Sequence, residues 1–154
     1  MLFRSTGGGG ITPDISVPAP KLTKFEQLLY RDDVFFPAET GVGGFTRYYL
    51  GTKPAIAKDF EADDNVLRVF REYLSRHNVR YTEPEMAEGL DWIKRKIKQE
   101  VFMSSFGQQE GFKVLLEADP QVQKAVEAIP QARALYQNAK KIVAQRAGGP
   151  VEQP

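Results

Sequence analysis

The sequence predicts a mainly α protein, an irregular multi-helix region preceded by a short extended segment at residues 11–17. Three observations predict it. Apolar residues recur at spacings of three and four along most of residues 23–146. Two Thr-x-x-Glu boxes and several Asp or Pro positions stand where such runs begin, and glycines stand where they stop. Strand-compatible residues gather only at Ile11, Ile15 and Val17, with Pro13 among them, so any strand there is short or at an edge.

Each element follows from local chemistry. Pro18 and Pro20 force an extended exit from that first segment. Thr23 and Glu26 form a capping box, and Phe25, Leu28 and Leu29 make one face of a helix that ends soon after Arg31, at Asp32 and Asp33. Residues 37–60 are broken by the glycines of 41–44. Phe45, Tyr48 and Tyr49 share one side of a short helix stopped by Gly51, and Lys53 and Pro54 are expected to start another turn. Asp63 or Asp64 caps a helix over 64–76, with a stripe of Val66, Val69, Phe70 and Tyr73 widened by Leu67 and Leu74; His77 and Asn78 lie at its exit.

Thr82, Glu85 and Pro84 open the strongest pattern, predicted as one helix over 83–106 ended by Gly107. Met86, Leu90, Ile93, Ile97 and Val101 form its stripe. Their full burial would contribute on the order of 10 kcal/mol before entropy. Phe112, Leu115 and Leu116 belong to a shorter helix ending near Ala118. Asp119 and Pro120 then start a helix presenting Val122, Val126 and Ile129. Pro130 is expected to interrupt it and begin a final helix to Arg146, with Leu135, Ala139, Ile142 and Val143 on its apolar face. No repeat of fixed period is present.

Composition narrows the function classes. The 154 residues suit one domain, 42% of them apolar and 27% charged. The domain boundaries read as 1–20, 21–146 for the helical part, and 147–154 for a polar, disordered tail. Residues 2–5, Leu-Phe-Arg-Ser, resemble translated adapter sequence, and 1–5 are set aside. A net charge of +1 does not point to nucleic acid or an anionic surface. There is no cysteine, hence no disulfide, thiol nucleophile or thiolate metal site. No apolar run approaches the ~20 residues that span a bilayer, and no secretory leader is visible.

No candidate site is complete. The glycines at 7–10 lack the Lys-Ser/Thr ending and the following helix of a phosphate loop. His77, the only histidine, sits at a polar helix exit, where a solvated role is expected. Lys94, Arg95, Lys96 and Lys98 surround Trp92. However, Asp91 stands four before Arg95 and Lys96 four before Glu100, as on a solvated, locally balanced face. Nucleic-acid binding through 94–98 is the weaker reading. Ser104 and Ser105 end a helix with no evident base and no Gly-x-Ser-x-Gly elbow. Asp32, Asp33, Asp63 and Asp64 read as caps and turns. The residues therefore assign no catalytic, cofactor-binding or metal site.

One stretch is left over: Gly10-Ile11-Thr12-Pro13-Asp14-Ile15-Ser16-Val17. It resembles the Gly-Ile-x-Pro-Asp-Ile-x-Val segment of the carboxyl-terminal processing, or tail-specific, serine proteases. The stretches LTKFEQLLYRDDVFF, DFEADDNVLRVFREYL, YTEPEMAEGLDWIKRKIKQEVFMSSFG and ADPQVQKAVEAIPQARAL are similar to the helical tail of a bacterial branch of that family. The resemblance implies that residues 11–17 are left over from a protease sheet. It implies a peptide-cleaving Ser/Lys dyad and a PDZ domain that would both lie upstream of residue 1, so no catalytic residue transfers to this chain and the fragment alone is expected to be inactive. It implies no cofactor, protein substrates taken through the missing upstream regions, and a bacterial cell envelope, periplasmic location. The helices would then cover the protease core, join a homo-oligomer or bind an accessory protein, through the 86–101 and 135–143 stripes. The alternative is a stand-alone helical protein-interaction module without catalytic activity.

Overall fold

The computed structural model describes residues 15–35, 44–53 and 55–147. Among them the chain forms seven helices and no strand. Thr23 caps α1 (Lys24–Arg31): its Oγ1 accepts the Glu26 amide at 3.2 Å, and the Thr23 amide donates to Glu26 Oε2 at 2.7 Å. This reciprocal box satisfies two amides that would otherwise lack partners. Phe25 and Leu29 turn inward. At the far end Asp33 takes a left-handed φ of 48°, and the Val34 amide reaches back to the Leu29 carbonyl at 3.1 Å. That reversal buries Val34 and Phe35. The Val34 carbonyl then accepts the Phe45 amide at 2.7 Å, which seats α2 (Phe45–Gly51) on the end of α1.

Asp63 caps α3 (Asp64–Arg76), its Oδ1 accepting the Val66 amide at 2.9 Å. Val66, Leu67, Phe70, Tyr73 and Leu74 make the buried face. Phe70 is fully enclosed. The Phe45 ring meets its edge with centroids 4.8 Å apart, and Phe35 stacks on it at 5.5 Å. Such offset and edge-on pairs each add about 0.5–1.5 kcal/mol to the burial term. One apolar core joins α1, α2, α3 and the stripe of Met86, Ile93, Ile97 and Val101.

The expected helix over 83–106 is two helices, α4 (Glu83–Glu88) and α5 (Leu90–Phe106), separated at Gly89 with ψ near 1°. Glycine is a poor helix former, and the Glu26 side chain of α1 lies against it; a Cβ there would meet Glu26 Cγ at 3.6 Å. The capping box survives: the Thr82 amide donates to Glu85 Oε2 at 2.8 Å. Gly107, with φ of 98°, turns the chain into α6 (Gln108–Glu117), which returns along α5. The two helices approach so closely at Gly111 that a Cβ there would lie 2.8 Å from Met103 Cβ and 3.0 Å from the Gln99 carbonyl oxygen.

Asp119 caps α7 (Pro120–Ala147), its Oδ1 accepting the Gln121 and Val122 amides at 2.7 and 3.3 Å. The expected interruption at Pro130 does not occur; the helix runs through it. Proline removes one intrahelical bond, and on an exposed helix the ring has solvent on its own side. Residues 55–63 hold a single turn, closed by the Phe60 amide on the Ala57 carbonyl at 3.1 Å, rather than a helix; Pro54 lies outside the described residues. Of the extended segment, residues 11–14 also lie outside, as does the tail from 148. Residues 15–17 are not in a strand. They cross the start of α7, where the Val17 carbonyl accepts Gln121 Nε2 at 2.8 Å.

Candidate interaction surfaces

A cleft of about 200 Å³ opens where α1, α5 and α6 meet the start of α7. Tyr30 and Trp92 form its wall, edge to face at 5.3 Å, and Phe35 supports Trp92 from below at 5.8 Å. Lys96 crosses the cleft. Its Nζ sits 5.3 Å over the Tyr30 ring, 2.7 Å from Glu100 Oε1 and 3.3 Å from Gln99 Oε1. The Lys96 and Glu100 side chains are only 14% and 8% exposed. The ion pair and its second acceptor all belong to α5, and only the Tyr30 ring joins the cation to α1; losing one partner of this nearly dry pair would strand the other charge. The cation is thus committed inside the fold.

Arg95 lines the same cleft. Lys98 pairs with Glu61 across to the loop before α3. Trp92 is half-buried in the aromatic wall rather than displayed. His77 is exposed at the C-cap of α3, its ring 4.2 Å from that of Tyr73. Ser104 and Ser105 are exposed in the last turn of α5. Asp63 is a cap, and Asp32 and Asp33 form the turn after α1. Among the described residues no three His, Asp or Glu side chains converge to hold a metal ion. No helix of the described residues is long and apolar enough to cross a membrane.

Titration shifts follow structural contacts. The Glu85 carboxyl is held below its ordinary value by hydrogen bonds from the Thr82 hydroxyl and amide. Glu110 is lowered by its hydrogen bond from Lys113. Burial pushes the Tyr73 phenol up, and burial with the Asp63 charge does the same to Tyr49.

Among the described residues, α7 carries six of the eleven large apolar side chains left exposed. Val126, Ile129, Leu135, Tyr136 and Val143 are half or more exposed, and Ile142 is 49% exposed. Every described side chain from 129 to 145 is exposed. Beside this face an open trough of about 820 Å³ runs between residues 15–17 and the first half of α7. On α6, Phe112, Leu115 and Leu116 are exposed as well, the buried positions being Gly111 and Val114.

Sequence periodicity identifies the 86–101 stripe and the 135–143 stripe as apolar faces; the first is covered by the core and the second is not. The Tyr30 and Trp92 wall escapes such a reading, because its two rings come from helices about 60 residues apart. Compared with protein-family models, with curated proteins and with solved structures, the chain gives no match to any.

Proposed function

We infer that this chain is a packing and docking module, the helical C-terminal portion of a tail-specific serine endopeptidase whose Ser/Lys dyad would lie upstream of residue 1. One structural observation carries the docking part: a 28-residue helix presents an apolar face that the described fold leaves uncovered. Such a face is costly in water and is ordinarily a contact surface. The family assignment rests on Gly10-Ile11-Thr12-Pro13-Asp14-Ile15-Ser16-Val17 and the similar helical stretches that follow it. In the parent, the serine would attack a peptide carbonyl while a neutral lysine takes its proton. The location would be the bacterial cell envelope, on the periplasmic side. The helices would serve core packing, oligomerisation or accessory-protein binding.

The complete coding sequence tests the assignment. A Ser/Lys catalytic region upstream, with peptidase activity lost when that serine becomes alanine, is the expected result. An upstream region of any other kind overturns it. A stand-alone interaction module is the second reading, favoured by the core around Phe45, Phe70 and Leu74, each 0% exposed without help from another chain.

A further inference from the structure

We propose that the open face of α7 receives an acidic amphipathic helix from a partner protein. The inference deepens the docking reading above and does not depend on the protease assignment.

The face has a seam of helical design. Val122, Ala125, Ile129, Ala132, Tyr136, Ala139 and Val143 alternate spacings of three and four through three heptads. That 3.5-residue period keeps one side of a helix turned toward another helix. Ala125, Ala132 and Ala139 repeat every seven residues, flanked by Ile129, Tyr136 and Val143 on one side and Leu135 and Ile142 on the other. Small residues between two large rows form a groove that takes the ridge of a second helix. At 1.5 Å per residue α7 is about 42 Å long, enough for several turns of contact. Pro130 lies on the back of the seam. Its ring crowds the Val126 carbonyl there, so any bend leaves the seam on the inner side.

The rims of the seam identify the occupant. Taking Ala132 as the centre, Arg133 and Lys140 fall about 80–100° to one side and Lys124 about 80° to the other. All three rim charges are positive. Glu127, the only acid in α7, lies on the back and reaches round to Lys124 at 3.0 Å. Lys140 rests over the Tyr136 ring at 4.9 Å, which holds its charge at the seam edge. Helix α7 carries five cations and one acid, a net +4, against +1 for the whole chain. Opposite charges at rim positions set partner choice in helix pairs. A second copy would bring the same positive rims together, with Arg133 beside its own counterpart near the dyad. An anionic lipid surface would suit the charges. The centre of the face, however, is alanine, without the Trp or Phe that anchor interfacial helices.

Two designed 28-residue peptides test the proposal, sharing a leucine and alanine seam and differing only in rims of glutamate or lysine. Their binding to the chain is read by fluorescence anisotropy at low and at high salt. The acidic peptide is expected to bind at least about tenfold tighter than the basic one, with the gap closing as salt rises. The triple change Lys124→Glu, Arg133→Glu and Lys140→Glu is expected to reverse the preference while leaving the thermal midpoint unchanged. Leu135→Asp is expected to abolish binding of both. Equal affinity for the two peptides, or none for either, overturns the proposal. So does a concentration-dependent dimer that Leu135→Asp dissolves, which would give the face to a second copy, or binding to phosphatidylserine vesicles lost in that variant, which would give it to a membrane. An upstream sequence without a Ser/Lys region removes the protease assignment and leaves all these outcomes as they stand.

Discussion

Helices α3 and α7 carry the same kind of message and meet different fates. Each sets apolar residues at spacings of three and four. In α3 the face of Val66, Phe70, Tyr73 and Leu74 is 5% exposed or less, whereas in α7 Leu135, Tyr136 and Val143 are more than 60% exposed. The difference lies in reach rather than in periodicity. Helix α3 shares one core with α1, α2 and the stripe of α5, and the rings of Phe35, Phe45 and Tyr48 close over it. Helix α7 leaves the body after Pro120 and runs beyond the surface the other helices can supply. A periodic stripe therefore states that a face needs cover and does not state which molecule provides it.

Phe70→Ala is the strongest way to break the comparison from the body side. The ring is fully buried between Phe35 and Phe45. A phenylalanine removed from such a site costs about 3–5 kcal/mol, the spread reflecting how far the neighbours collapse. Urea unfolding measures it, and a loss under 1 kcal/mol would mean that the aromatic cluster is not packed as described. Gly111→Leu should follow at about 1–3 kcal/mol. It forces side-chain atoms into a contact where even a Cβ would lie 2.8 Å from Met103 Cβ. A neutral result would mean that α5 and α6 stand further apart.

Much of the body was legible because its signals are local. The boxes at Thr23 with Glu26 and at Thr82 with Glu85, the Asp63 cap and the Asp119 with Pro120 start involve partners within three residues. They form as the spacing predicts. Part of what escaped depends on distant groups. Gly89 reads as an ordinary helix interior, yet α4 and α5 part there with ψ near 1°, while Glu26 beside it leaves ordinary van der Waals room for a Cβ. Pro130 reads as a stop because propensity treats every proline alike, yet an exposed helix tolerates the lost bond. In the basic run at 94–98 the local pair of Lys96 with Glu100 forms as its spacing predicts, but the Tyr30 ring helps enclose Lys96 and Lys98 reaches to Glu61, neither of which the spacing shows. On α7 the sequence shows two stripes, Val122, Val126 and Ile129 and then Leu135, Ala139, Ile142 and Val143, as if on two helices; their union in one helix, and its openness, depend on the rest of the fold.

Smaller effects sharpen the same contrast. Asp63→Ala removes the acceptor for the Val66 amide at the start of α3 and should cost about 1 kcal/mol, within the 0.5–2 kcal/mol range of such caps. Thermal unfolding checks it, and Asp63→Asn should recover most of the loss. Acid adds a weaker probe. Glu85 and Glu110 have carboxyl groups lowered in the folded state by Thr82 and Lys113. A lowered folded value means that the stabilisation is complete above the ordinary carboxylate value of 4.5 and is lost as pH falls through the folded one. Glu85→Gln should flatten the stability slope in that acid window and leave it unchanged at neutral pH. An unchanged acid slope would show that the box opens in solution.

The smallest expected effect falls on α7 and tests the other half of the comparison. Leu135→Ala and Ile142→Ala remove large apolar side chains, yet these are 65% and 49% exposed. Little transfer energy is lost on truncation, no cavity forms, and alanine is the better helix former by a few tenths of a kcal/mol. The urea midpoint of the chain alone should shift by no more than about 0.5 kcal/mol in either direction. The same two changes should weaken capture of the acidic peptide. A stability loss of 2 kcal/mol or more would place the α7 face inside a packed interface of the isolated chain. In that case α3 and α7 would differ in nothing but the partner that covers them.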